Sequence, residues 1–150
     1  MADEMQKELA EVLKIRRIRL QRAEARVAQA QGEEKRAARK VVEKEEAAAQ
    51  TASDNAERES ALALELFNRK TNLSHIEKFR REVGDLRKHT AAAKEEVVDA
   101  KKARNEAKSQ VKQALEGQRG AYRAVEKLEV VLQDIKEEAD IVRERRSPDE

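Results

Sequence analysis

The 150-residue chain has no cysteine and no tryptophan, one proline and four glycines. Without thiols, neither a disulfide framework nor a thiolate metal site can form, a usage that fits a reducing compartment. Aromatic residues make up 2% of the sequence, so a compact globule of this length would lack the large apolar groups that offset the entropy of ordering it. No apolar run approaches the ~18 residues of a membrane span, and the first residues lack the apolar core of a signal peptide. The chain is therefore expected to remain cytoplasmic, with no membrane insertion. Charge of one sign is also missing: 33 Lys and Arg stand against 31 Asp and Glu, for a net charge of +2. The acids lie among the bases, whereas nucleic-acid binding rests on a one-signed patch, so a nucleic-acid partner is not expected.

What is present is charge, alanine and periodicity. Charged residues are 43% of the chain, which with few aromatics is also the signature of disorder. The near-cancelling charges and a regular apolar grid argue instead for long helices in a coiled coil. In the second half, positions from Phe79 through Val83, Leu86, Thr90, Ala93, Val97 and Ala100 to Val125, Leu128, Leu132, Ile135, Ala139 and Val142 alternate in strict steps of four and three. That is an unbroken heptad seam. In the first half Leu9, Leu13, Arg16, Leu20, Ala23, Val27, Ala30, Glu34, Ala37, Val41, Lys44, Ala48, Thr51, Asn55, Arg58 and Leu62 keep the rhythm with more polar interruptions.

Between the seams lies Asn68-Arg69-Lys70-Thr71-Asn72-Leu73-Ser74. Ser74 followed by Glu77 has the form of a capping box, so the chain is expected to turn just before it. The expected fold class is all-α, a long two-helix antiparallel coiled-coil hairpin forming one domain. Helix 1 should run over about 4–68, the turn over about 69–73 and helix 2 over about 75–146, with a frayed tail at about 147–150. Arms of this length at 1.5 Å per residue would make a rod of about 100 Å. Each arm then buries its seam on the other, so the chain is expected to be a monomer in isolation, and a parallel dimer of uncapped rods is the rival architecture.

The seam is uneven. Leu9, Leu13 and Leu20 should meet Val125, Leu128, Leu132 and Ile135 near the termini. Leu62, Leu66 and Phe67 should meet Ile76, Phe79, Val83 and Leu86 near the turn. The middle is mostly alanine, with Glu34, Lys44 and Arg104 intruding, and Gly117 and Gly120 weaken the second helix by about 1 kcal/mol each. A bend or fray is expected there.

Nothing in the sequence carries catalysis. There is no glycine-rich phosphate loop and no strand to precede one. His75 and His89 do not have the four-residue spacing of a helical metal pair and read as solvent-facing. Paired carboxylates such as Glu45-Glu46 would sit on a thin helix with no pocket to raise a pKa. No enzyme, metal or cofactor is expected. The anomaly is Lys14-Ile15-Arg16-Arg17-Ile18-Arg19-Leu20-Gln21-Arg22. Leu13 and Leu20 belong to the seam, so at 100° per residue Ile15 and Ile18 point away from it. Ringed by Lys14, Arg16, Arg17, Arg19, Arg22 and Arg26, they have the form of a docking surface. Exposed apolar pairs covered by arginine stems are equally common. Phe67 and Phe79 flank the turn and read first as core staples, with partner contact as the second reading. Tyr122 falls off the seam and is open to either role.

The same arginine-rich stretch resembles the N-terminal signature of the YscO/HrpO proteins of bacterial type III secretion, whose flagellar relative is FliJ. A second resemblance surrounds the turn, in Leu66-Phe67, Asn72-Leu73-Ser74, Ile76-Glu77-Lys78-Phe79-Arg80-Arg81-Glu82-Val83 and Asp85-Leu86-Arg87. It implies a central stalk of the secretion ATPase, similar to the coiled coil of a rotary-ATPase gamma subunit. One end would sit in the hexameric ATPase ring and stimulate it, through Ile15, Arg16, Arg17, Ile18, Arg19 and Arg22. The Phe67–Phe79 end would point toward the cytoplasmic domain of the export gate. Some members of the family also bind export chaperones, for which no residues are assigned here. The alanine-rich middle departs from members with bulkier seams.

Overall fold

The computed structural model describes residues 2–146. They form two helices, α1 over Ala2–Phe67 and α2 over Leu73–Arg146, with no strand among the described residues. The tail at 147–150 lies outside them. Good helix formers fill both elements, and nothing but residues 68–72 separates them. Asp3 and Glu4 in the first turn of α1, and Arg143, Arg145 and Arg146 in the last turn of α2, oppose the helix dipoles. α2 passes Gly117 and Gly120 as continuous helix, without the fray expected there. The half-buried flanking residues Ala114, Leu115 and Ala121 keep that stretch on the seam.

The turn closes differently from the Ser74 capping box. Asn68 N–H continues the ladder to Leu64 O at 3.0 Å, ending α1. Asn72 then caps α2: its Oδ1 accepts from His75 N–H at 3.0 Å, while its carbonyl accepts from Ile76 N–H at 3.2 Å. This is the N-cap geometry, side chain to the third helical N–H and backbone to the fourth. Capping at Asn72 adds two helical residues that a cap at Ser74 would forgo.

The two helices run antiparallel, and their contacts divide them into two compact units. Among the described residues, one holds residues 2–32 and 109–146, the other residues 33–108. The core of the first is Leu13, Val125, Leu128 and Leu132, with Leu9 and Leu20 packed against it. Val27 and Ala30 are buried in the same unit. In the second unit Val41, Leu62, Val83 and Ala100 are buried. On α2 every seam position from Phe79 to Ala139 is turned inward, and Val142 is exposed. On α1 the seam deviates once. Arg58 is exposed, and Glu59 is partly turned in to accept from Arg87 at 2.8 Å.

Some polar seam residues are answered from the facing helix. Lys44 reaches Glu96 at 3.2 Å. Asn55 is the most fully engaged: its Nδ2 donates to Leu86 O at 3.1 Å and Thr90 Oγ1 at 2.9 Å, and lies 3.2 Å from His89 Nδ1. Thr90 Oγ1 in turn donates to Leu86 O. Arg104 is not answered, its Nε buried without a partner, and the side chains of Glu34, Thr51 and Gln118 make no hydrogen bond or ion pair among the described residues either.

Two stability outcomes follow from this packing. Leu128→Ala should cost about 2–5 kcal/mol in denaturant unfolding, as for a buried leucine, whereas Val130→Ala on the exposed side should change it by less than about 0.5 kcal/mol. Asn72→Ala should cost about 1 kcal/mol and Ser74→Ala much less; the reverse ranking in thermal melts would return the cap to Ser74.

Candidate partner-binding site

The site begins with helical phase. Leu9, Leu13 and Leu20 turn α1 toward α2 in the terminal unit, which forces Ile15 and Ile18 to the other side. They are 51% and 49% exposed. Val12, also exposed, lies three residues before Ile15 and lengthens the apolar strip. It was hidden in the sequence because it sits beside the seam residue Leu13.

The arginines among them part company. Arg16 occupies a seam position and is half-buried; its Nη1 donates to the Ala124 carbonyl oxygen at 2.8 Å. Arg17 donates across to Glu129 at 3.2 Å, with both side chains about half exposed. Arg19 and Arg22 are exposed and make no hydrogen bond or ion pair among the described residues. With Arg26 they wall one side of an open groove of about 440 Å³, and Gln113, Ala114, Gly117 and Ala121 of α2 line the rest. The six sequence-selected residues thus separate into an exposed set (Ile15, Ile18, Arg19, Arg22), a cross-helix pair member (Arg17) and a residue bound into the seam (Arg16).

A second contribution comes from α2. Arg119, Tyr122 and Arg123 line a smaller hollow of about 200 Å³ with Leu20, Glu24 and Gln118. Tyr122 is exposed, which settles its open reading as surface. The signal that could have found these residues is the antiparallel register. Once Arg16 is set beside Ala124, the stretch from Gly117 to Arg123 falls next to the arginine stripe.

At the turn the two phenylalanines separate. Phe67 is 83% exposed, and Leu64 and Leu73 are exposed near it. The core-staple reading is therefore wrong for Phe67: Leu62 and Leu66 take the inward positions, and the next residue, 100° on from Leu66, points out. Phe79 is half-buried and lines a hollow of about 140 Å³ with Leu62, Leu66 and His75, among others. Of the two histidines, only His75 departs from the solvent-facing expectation. His75 is partly buried with its Nδ1 unpartnered, and exposed His89 lies against Asn55.

The described residues thus form two antiparallel helices with a basic, β-branched strip exposed on the outer side of one. The model of the type III secretion protein YscO matches residues 9–149, and the chain belongs to that family. The crystal structure of type III secretion protein YscO from Vibrio parahaemolyticus superposes with a TM-score of 0.92 at 20% identity, over 97% of this chain and 91% of the other. That likeness establishes the shared all-α fold. A search of curated proteins finds no match. No helix among the described residues is long and apolar enough to cross a membrane.

The division of the arginines is measurable. Arg16→Ala should lower the melting temperature, because it removes both a backbone hydrogen bond and a stem packed on the seam. Arg19→Ala and Arg22→Ala should leave stability within about 0.5 kcal/mol of the parent. Equal effects from all three would deny Arg16 its place in the seam.

Proposed function

We propose that the chain is a cytoplasmic, non-enzymatic stalk component of a type III secretion apparatus that binds and stimulates the secretion ATPase and couples it to the export gate. The observation that carries this reading is the exposed strip of Ile15 and Ile18 flanked by the unpaired Arg19 and Arg22, on a chain of the YscO family. An apolar centre with a guanidinium rim is the composition of a protein-binding hot spot, where arginine is enriched and a few desolvated residues carry most of the affinity. Arg17 joins the same contact at its edge. Arg16, tied to Ala124, acts there by holding α1 in phase, so that its neighbours face outward. The turn end supplies the contact with the gate. Phe67 is its exposed anchor, and Phe79 supports it from between the helices.

The proposal has a direct test in the purified chain and the ATPase of its own secretion system. Ile15→Asp combined with Ile18→Asp should leave helicity and the melting transition nearly unchanged, since neither side chain packs in the seam. ATPase turnover in the presence of this variant should fall to that of the ATPase alone. Collapse of helicity would place the isoleucines in the core, and full stimulation by a folded variant would move the contact elsewhere.

A further inference from the structure

We infer that the groove between Arg19, Arg22 and Arg26 of α1 and Gly117 of α2 is the seat of an acidic helix of the partner, taken here, on the reading above, to be the secretion ATPase. Three observations converge on it. The first is charge without compensation. Between Lys14 and Arg26 the sequence offers one acid, Glu24, and between Lys112 and Arg123 one more, Glu116. Where a cation on these helices is paired across the interface, the facing helix supplies a carboxylate: Glu129 to Arg17, Glu96 to Lys44, Glu59 to Arg87 and Glu45 to Lys101. Opposite Arg19, Arg22 and Arg26, α2 presents Gln113, Ala114, Gly117 and Ala121 instead.

The second is a glycine that this chain does not itself need. A Cβ added at Gly117 meets nothing within 4 Å and the residue has no positive φ, as at the other three glycines, but Gly117 is the one of the four that lines the groove. Alanine there would favour the helix by about 1 kcal/mol. Glycine leaves the α2 backbone bare on the groove side, the arrangement that admits the close approach of another backbone.

The third is spacing. Residues 19, 22 and 26 follow steps of three and four, so their guanidinium groups form a row of about two helical turns. Carboxylates at the same spacing on a facing helix would meet them in turn, and the planar guanidinium can bind each bidentately. Ile15 continues the row by one more helical step and supplies an apolar contact at its end. A phosphate backbone is the less suited occupant, because no aromatic ring lines the groove to stack a base.

The experiment measures the affinity of the full chain for the purified ATPase across a salt series. It compares the parent with Gly117→Ala, Gly117→Leu, the triple variant Arg19→Glu/Arg22→Glu/Arg26→Glu, and the Ile15→Asp/Ile18→Asp pair. Gly117→Ala, which puts one methyl group on the bare backbone, should weaken binding by about two- to threefold, less than Gly117→Leu. Gly117→Leu, which fills the groove while adding a better helix former, should keep or raise the melting temperature yet weaken binding by about tenfold or more. The triple variant should weaken it at least as much and flatten the dependence of affinity on salt. A photoreactive side chain in place of Gln113 should cross-link to an ATPase segment with Asp or Glu at helical spacing. Parent affinity in Gly117→Leu, with binding lost in the isoleucine pair, would overturn the groove and leave the ATPase contact standing. Binding lost in Gly117→Leu but kept in the isoleucine pair would retain the groove and displace the isoleucines. A parent chain that does not bind the ATPase would remove both readings. Cross-links to a neutral or basic segment, or a groove that instead holds a short DNA duplex in a salt-dependent way, would overturn the acidic occupant.

Discussion

The structure depends on one constraint: each helix must bury a narrow apolar seam, and the only large partner seam lies on the same chain. An isolated amphipathic helix gains too little from propensity alone to be stable at full occupancy in water, so packing carries most of its stability. Here that packing is thin. Even the buried residues keep a few per cent of their surface, and among the described residues no side chain is wholly enclosed. Buried leucine and valine cluster at Leu13 with Val125, Leu128 and Leu132, while the most buried single residue is Val41. Everything outside that seam is surface, and the chain's surface chemistry is therefore set by helical phase alone.

Phase explains why one stretch can serve both structure and recognition. Over the few residues from Leu13 to Arg22, successive side chains are handed in turn to the seam, to the facing helix, to solvent and to the groove. Arg16 and Arg17 are spent on holding α1 to α2, through Ala124 and Glu129. Ile15, Ile18, Arg19 and Arg22 remain outside. The contribution of α2 is complementary, with Tyr122 and two arginines on one side and small residues on the other.

Much of this was legible beforehand, and the reasons for the misses are physical. The seam of α2 could be read nearly to its end because heptad spacing fixes direction residue by residue; Val142 is exposed because little of α1 remains beside it. The exposure of Ile15 and Ile18 came from the same rule. The cap was misplaced because Asn72 and Ser74 are both good cap residues two positions apart, and the choice between them rests on backbone closure at Ile76, which no pattern reports. Phe67 was misread by composition: a phenylalanine beside a turn suggests core, but Leu66 already fills the inward position. The groove at Gly117 was out of reach, since it requires knowing which residues of α2 stand beside Arg19, and that is a matter of register between distant segments.

Register has a further consequence, lodged in Asn55. Its amide is satisfied by Leu86 O and Thr90 Oγ1 in one alignment of the helices only. Sliding α2 by one heptad would keep leucine and valine roughly in step but set Asn55 against Val83 or Val97 in place of Thr90. A half-buried amide facing valine loses the threonine hydroxyl, at a cost of about 1 kcal/mol. A seam built largely from alanine offers little resistance to such slippage by shape, since one alanine layer is much like the next. Asn55, the one asparagine on the seam, therefore discriminates between alignments that alanine layers alone would leave nearly equivalent.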